Sequence, residues 1–169
     1  MRTYSEKDNY KPDISNLVEQ YGNSLLRMCY LYLKDMQLAE DAVQDTFVNA
    51  YRNWDKFKGK SSEKTWLTRI AINVCKTQYR NSWRKSTVYL DELQSEPFDN
   101  DIIQDDTVLN EIAKLKPEYR EVILLFYYQE MKQREISEAL NISESTVAVR
   151  LTRAREQLRN ALKGWYFNE

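Results

Sequence analysis

The chain has 169 residues, 42% hydrophobic and 30% charged, with no histidine, three glycines and three prolines. That length and apolar content suffice for one domain or two small ones, and so few Gly and Pro argue against a turn-rich β architecture. Histidine, the commonest general base and metal ligand, is missing, as is a glycine-rich phosphate loop, so the reading is of a non-enzyme needing no metal or cofactor.

The net charge of −1 hides a segregated pattern. Residues 1–85 carry 15 Lys and Arg against 10 Asp and Glu, residues 86–106 carry none against 7, and residues 107–169 carry 10 against 9. Such blocks suggest two modules separated by an acidic connector. Cys29 and Cys75 stand outside any metal-ligand spacing and fall on helical stripes, as buried free thiols of a reducing cytosol do. No apolar run approaches membrane-spanning length, and the start MRTYSEKDNYK lacks a signal peptide's apolar stretch, so a cytoplasmic protein without membrane insertion is expected.

In chain order, a polar and frayed first dozen residues lead to Asp13. Ile14, Leu17, Val18, Tyr21, Leu25, Met28, Cys29 and Tyr32 then recur at helical spacing. Asp35 can cap a second helix, whose stripe is Ala39, Ala42, Val43, Thr46, Phe47, Ala50, Tyr51 and Trp54. Helices this close in sequence should pack antiparallel. The opposite face, with Glu40, Asp41, Gln44, Asp45 and Asn49, is acidic and amide-rich: solvated surface, or a docking face for a basic partner helix.

From Lys56 to Lys85 nine basic residues stand against one acid, Glu63, with Phe57, Trp66, Tyr79 and Trp83 interleaved. FKGKSS reads as a loop and Thr65 to Arg84 as a helix. Lysines neutralise phosphates and aromatic rings offer platforms for unstacked bases, which together suit single-stranded nucleic acid; the alternative is a solvated basic face with Trp66 in the core. Residues 86–106, which include Pro97, read as a flexible or partly extended linker that rests its apolar residues on another surface. The second module opens with Val108, Leu109, Ile112 and Leu115, then a helix started by Pro117, EYREVILLFYYQE, apolar on most sides.

Lys132 to Arg155 reads as a helix-turn-helix, the alternative being a helical hairpin with a solvated basic face. Ile136, Ala139 and Leu140 form one stripe; Ile142, Val147, Leu151, Ala154 and Leu158 form the next. Asn141 can take the left-handed conformation between them and Ser143 can cap the second helix. Its outer face holds Ser145, Thr146, Ala148, Val149, Thr152 and Arg153, flanked by Arg150 and Arg155: short residues that let a helix enter a major groove, and arginines that reach bases or phosphates. Trp165 and Phe167 are expected to fold back at the end.

Taken together, AEDAVQDTFVNAY (39–51), FKGKSSEKTWLTRIAINVCK (57–76) and LKPEYREVILLFYYQEMKQREISEALNISESTVAVRLTRAREQLR (115–159) resemble, in that order, the segments of the extracytoplasmic-function (ECF) sigma factors. The resemblance covers nearly the whole chain and implies an all-α protein of two small helical domains: residues 13–85 as sigma region 2, an acidic linker at 86–106, and residues 107–165 as sigma region 4 with the helix-turn-helix. It implies that Asp41, Gln44, Asp45 and Asn49 dock on core RNA polymerase. Phe57, Lys58, Gly59, Lys60, Ser61 and Ser62, with Trp66, Arg69, Asn73, Lys76 and Arg80, would melt and read the minus-ten element on the single-stranded non-template strand. Ser145, Thr146, Ala148, Val149, Arg150, Thr152, Arg153 and Arg155 would bind the minus-thirty-five duplex, and an anti-sigma factor would be a further partner. Two departures stand out: apolar Ala148 and Val149 where many relatives are polar or basic, and Glu63–Lys64 where an aromatic is frequent. The alternative is a two-domain helix-turn-helix regulator that never becomes a polymerase subunit; a third reading is a helical adaptor for an acidic protein.

Overall fold

A computed structural model describes residues 11–88 and 107–166, and every regular element among them is helical. The polar first ten residues, the connector from 89 to 106 and the return of Phe167 lie outside the described residues, as do the side chains of Trp83 and Trp165.

Helix α1 spans Ile14–Leu33. The Asp13 carboxylate accepts from the backbone N–H of Ser15 (3.0 Å) and Asn16 (3.4 Å), satisfying donors that have no partner within the helix. At the far end Lys34 takes a left-handed conformation (φ 58°) and donates to the Tyr30 carbonyl. Asp35 then caps α2, Met36–Arg52, by accepting from Leu38 N–H at 2.9 Å. One residue ends the first helix and the next begins the second, so α2 must fold back on α1. Ala39, Ala42 and Ala50 are fully buried and let the two backbones approach closely. Buried Thr46 satisfies its hydroxyl by donating to the Ala42 carbonyl at 2.7 Å.

A short 3₁₀ turn, Trp54–Lys56, and a loop lead to α3, Glu63–Val88, which runs into the stretch expected to be linker. Leu67, Ala71, Ile72 and Cys75 close the core against Leu25, Met28 and Cys29. Both cysteines are buried and unpaired, as expected. The adjoining Cys29 thiol, and burial, hold Cys75 far above the usual thiol range, so it acts as a packing residue.

The second module begins with α4, Thr107–Lys114, and α5, Pro117–Ile123. The long helix expected after Pro117 does not continue: from Leu124 to Tyr128 it widens into a π turn. Leu124 and Leu125 are both fully buried there, while Tyr127 is turned out at 52% exposure. Glu130, left-handed at φ 54°, redirects the chain into α6, Gln133–Leu140. Asn141 takes the left-handed turn (φ 53°) and Ser143 caps α7, Glu144–Tyr166, by accepting from Thr146 N–H at 3.1 Å, as the sequence indicated.

The modules pack on each other, α1 and α3 against α4, α5, the π turn and α6. Buried Arg120 donates to the Tyr32 carbonyl at the end of α1 (2.6 Å) and to the Ala113 and Leu115 carbonyls at the end of α4 (both 2.8 Å), so one cation serves two negative helix termini. Burial lowers its pKa, yet a guanidinium stays charged. Buried Gln129 accepts from Thr68 and exchanges hydrogen bonds with Ser24, and Thr65 donates to Glu135. The fold departs from the expected stripes in two ways. Tyr30, Leu31 and Leu33 are buried because a second module covers the end of α1, whereas Val18 and Tyr51 are exposed at 43% and 39%.

Candidate nucleic-acid interface

The loop between α2 and α3 is built on an aromatic frame. Trp54, Phe57 and Trp66 have ring centroids 5.1–5.6 Å apart in tilted and edge-on pairs, a geometry that adds attraction beyond the area buried. Gly59 turns the chain at φ 66°, which a side chain would oppose. Ser62 ends the loop by capping α3, accepting from Thr65 N–H at 3.0 Å. Glu63 accepts from the Tyr21 hydroxyl at 3.4 Å, tying the start of α3 to α1 and giving this departure from the family pattern a structural role.

Within that frame lies a cavity of about 370 Å³ lined by Phe57, Lys58, Lys60, Ser61, Trp66, Arg69 and Asn73, seven residues the sequence reading grouped together. Gly59 and Ser62 shape the loop without lining the cavity, and Lys56 and Ile70 line it without having been singled out. Its size falls in the roughly 300–1,000 Å³ range of small-ligand sites. Lys76 and Arg80 are not part of it. Lys76 lies against the Glu121 carboxylate of the second module at 3.3 Å, and Arg80 is exposed one turn further along.

On α2, Asp41, Gln44 and Asp45 are exposed and Asn49 is half-buried. Gln37 donates to Asp41 at 3.3 Å. Exposed Val48 and Tyr51 extend the same face. The acidic surface therefore carries an apolar edge, missed because Tyr51 also fits the buried period.

In the helix-turn-helix, Ser145, Val149, Thr152 and Arg153 are exposed on one face of α7, with Thr146 and Ala148 half-buried between them. Val149, a large apolar side chain, is 47% exposed. Ser143, Ser145 and Thr146 share hydroxyl hydrogen bonds of 2.8–2.9 Å at the helix start. The three arginines differ. Arg153 makes no hydrogen bond or ion pair among the described residues. Arg155 donates to the Tyr127 hydroxyl at 2.7 Å and lies over the Phe126 and Tyr127 rings, and Arg150 donates to Glu121 at 3.1 Å.

Glu121 is the residue sequence reasoning overlooked. Its side chain is 5% exposed and holds Lys76 of one module and Arg150 of the other. Burial raises its pKa, and the two cations work against that rise. Its only sequence signal was a charge inside an apolar helix.

Two packed helical modules, one with a basic, aromatic-framed loop cavity and one with a helix-turn-helix, define a two-headed nucleic-acid-binding protein. Family models match in the same order: sigma-70 region 2 over residues 17–85 and sigma-70 region 4 over residues 105–158. The chain is 33% identical over 167 residues to the ECF RNA polymerase sigma factor SigW of Bacillus subtilis (strain 168), covering 88% of each. It is 31% identical over 162 residues to the RNA polymerase sigma factor YlaC of the same organism, covering 89% of this chain and 92% of that one. Among solved structures, the fold is shared with the sigma factor RpoE, co-crystallised with the anti-sigma factor NepR from Bartonella quintana: TM-score 0.74, 22% identity, 89% of this chain and 97% of that one. CnrH, in complex with the cytosolic domain of CnrY, matches with a TM-score of 0.65 at 27% identity over 89% of this chain and 88% of that one. The chain belongs to the ECF sigma factors, which direct core RNA polymerase to specific promoters. No described helix is long and apolar enough to cross a membrane.

Proposed function

We propose that the work of this sigma factor is divided between its modules, residues 13–85 holding core polymerase and an opened strand, residues 107–165 holding closed upstream duplex. The acidic face of α2, with Asp41, Gln44, Asp45 and Asn49, docks on polymerase. The loop cavity takes a base extruded from the non-template strand at the minus-ten element. Its contacts exist only when the base is out, so binding shifts the duplex towards the melted state. Ser145, Thr146, Ala148, Val149, Thr152 and Arg153 face the minus-thirty-five groove, where the apolar pair favours thymine methyl contacts. Arg150 and Arg155 act first as braces of the module. The chain makes and breaks no bonds itself, works in the cytoplasm, and is held in reserve by an anti-sigma factor, as RpoE is held by NepR in its crystal.

The packed modules bear on how the chain engages a promoter. Elements about 25 base pairs apart lie about 85 Å apart along the duplex, whereas a compact chain of this length has a radius of gyration of about 15 Å. Both heads reach their elements only after the modules part, which frees Lys76 from Glu121. The packed arrangement is that of the free chain.

The observation that carries this reading is the cavity, in which seven residues of one basic, aromatic stretch meet around an aromatic frame. Purified chain with core polymerase is expected to start RNA on genomic promoter fragments. Replacing Lys58 and Lys60 together by Ala should weaken fork-junction binding by the holoenzyme and lower its salt slope by about 1.4, while leaving affinity for core unchanged. Asp41→Ala with Gln44→Ala should do the reverse. A Lys58/Lys60 variant that opens promoters as well as the parent chain would refute the assignment.

A further inference from the structure

The seam between the modules is graded from end to end. Helices α1 and α3 run the same way along it: Ser24 and Thr68 both meet Gln129, and further along the Tyr32 and Tyr79 rings lie edge to face at 6.2 Å. At the end next to the loop the polar contacts across the seam are long. Thr65 meets Glu135 at 3.4 Å, Thr68 meets Gln129 at 3.4 Å, and Ser24 meets Gln129 at 3.2–3.5 Å, whereas well-made hydroxyl and amide hydrogen bonds cluster at about 2.7–3.0 Å. The Thr68 hydroxyl has a single proton, and the Lys64 carbonyl at 2.7 Å is better placed to take it. A notch of about 260 Å³, lined by Asn23, Ser24, Arg27 and Met28 of α1 and by Tyr128 and Gln129, leaves the same end underpacked. At the other end both contacts carry charge: Arg120 donates to the Tyr32 carbonyl at 2.6 Å and Lys76 meets Glu121 at 3.3 Å. Helix α3 continues past that end to Val88, from which the chain leaves for the second module, so the covalent tether is there too.

We propose that the modules part as a hinge, opening first at the loop end around Gln129 and turning about the Arg120 end, and that Gln129 is the residue that keeps the opening edge easy to release. The inference rests on the reading that the modules must part on a promoter. Gln129 is 3% exposed, in a segment whose other buried members include Leu124, Leu125 and Met131. An apolar side chain at this position would lose its burial whenever the edge opened. The amide instead exchanges long hydrogen bonds for bonds to water, at little cost. Opening at this edge first uncovers the start of α3 beside the loop cavity, the part that must meet the strand, while Arg120 and the tether keep the second module close. Because the working form is the open one, the closing equilibrium scales the apparent affinity of the free chain for core polymerase.

Two spin-label pairs on the full chain report the two ends: Asn23→Cys with Glu138→Cys beside the notch, and Gln37→Cys with Lys116→Cys at the far end. All four positions are exposed, while the native Cys29 and Cys75 are buried and escape labelling. In the free chain, pulsed electron resonance should show a minor long-distance population for the first pair and one short distance for the second. Gln129→Leu should shrink that population roughly tenfold, the effect of burying a leucine in place of an amide, and weaken apparent affinity for core by the same factor. Gln129→Glu, which puts a charge on the seam, should enlarge it. Leucine nearly conserves volume, Ser24 reaches water and Thr68 keeps the Lys64 carbonyl, so the fold is retained in Gln129→Leu and a thermal melt checks it. Long distances appearing at both pairs together, a population that neither variant moves, or no long population in any of the three chains would overturn the hinge. With core and promoter bound, both pairs should become long; if both stay short there, the reading that the modules part fails, whatever the free chain shows.

Discussion

Glu121 links the stability of the second module to its hold on the first, and the two roles can be separated. The carboxylate meets Arg150 within its own module at 3.1 Å and Lys76 across the interface at 3.3 Å, with side-chain exposures of 5%, 24% and 36% for Glu121, Arg150 and Lys76. Removing one member of a fully buried pair costs about 3–5 kcal/mol, and both partners here reach solvent, so Glu121→Ala should cost about 2–3 kcal/mol. For a chain of this size that lowers Tm by about 5–10 °C. Double-mutant cycles in urea should give a coupling of about 1.5 kcal/mol with Arg150 and about 0.5 kcal/mol with Lys76. The Lys76 term should fade at 1 M salt because that ammonium is the more exposed. Strict additivity of Lys76→Ala and Glu121→Ala at low salt would refute the packing of the modules in solution. Additivity with Arg150 as well would remove Glu121 from any role in the fold.

The same residue sets a pH dependence. Burial raises its folded pKa above the ordinary glutamate value, so the folded state binds the proton more tightly. Stability is then greatest below the unfolded pKa, falls as pH climbs from about 4.3 to the raised folded value, and is flat beyond it; in Glu121→Gln this component of the slope should vanish from denaturation curves taken across that interval. Lys34 holds a left-handed conformation at φ 58° that glycine adopts without penalty, so Lys34→Gly should raise stability by about 0.5–1 kcal/mol in thermal melts, and a loss would mean that the Lys34 stem contributes packing that outweighs backbone relief. Arg153→Ala should weaken upstream duplex binding by the holoenzyme by about 1–3 kcal/mol and relax preference at one base pair. Equal losses on all sequences in an anisotropy series would reassign it to a phosphate.

Local chemistry made much of the chain legible before any coordinates. Asp13, Asp35, Pro117, Asn141 and Ser143 mark helix boundaries through caps, a preset φ and a tolerated left-handed turn, effects that act over a few residues and so can be read from a few residues. The loop cavity was legible for a similar reason, since its lining comes from one stretch of eighteen residues, 56–73. What the sequence could not determine depends on residues far apart in the chain. The π turn at Leu124–Tyr128 arises inside a segment whose apolar pattern suits a regular helix. Tyr51 and Val18 fit the buried period but face outward, because periodicity gives the direction of a stripe and not its width. The burial of Tyr30, Leu31 and Leu33 follows from the second module lying on the end of α1. The side chains of Glu121 and Gln129 find their partners 29 to 105 positions away, and Arg120 joins two nearby carbonyls to one 88 positions away. Desolvation and pairing are properties of a surrounding volume, and only the tertiary fold determines which charges share it.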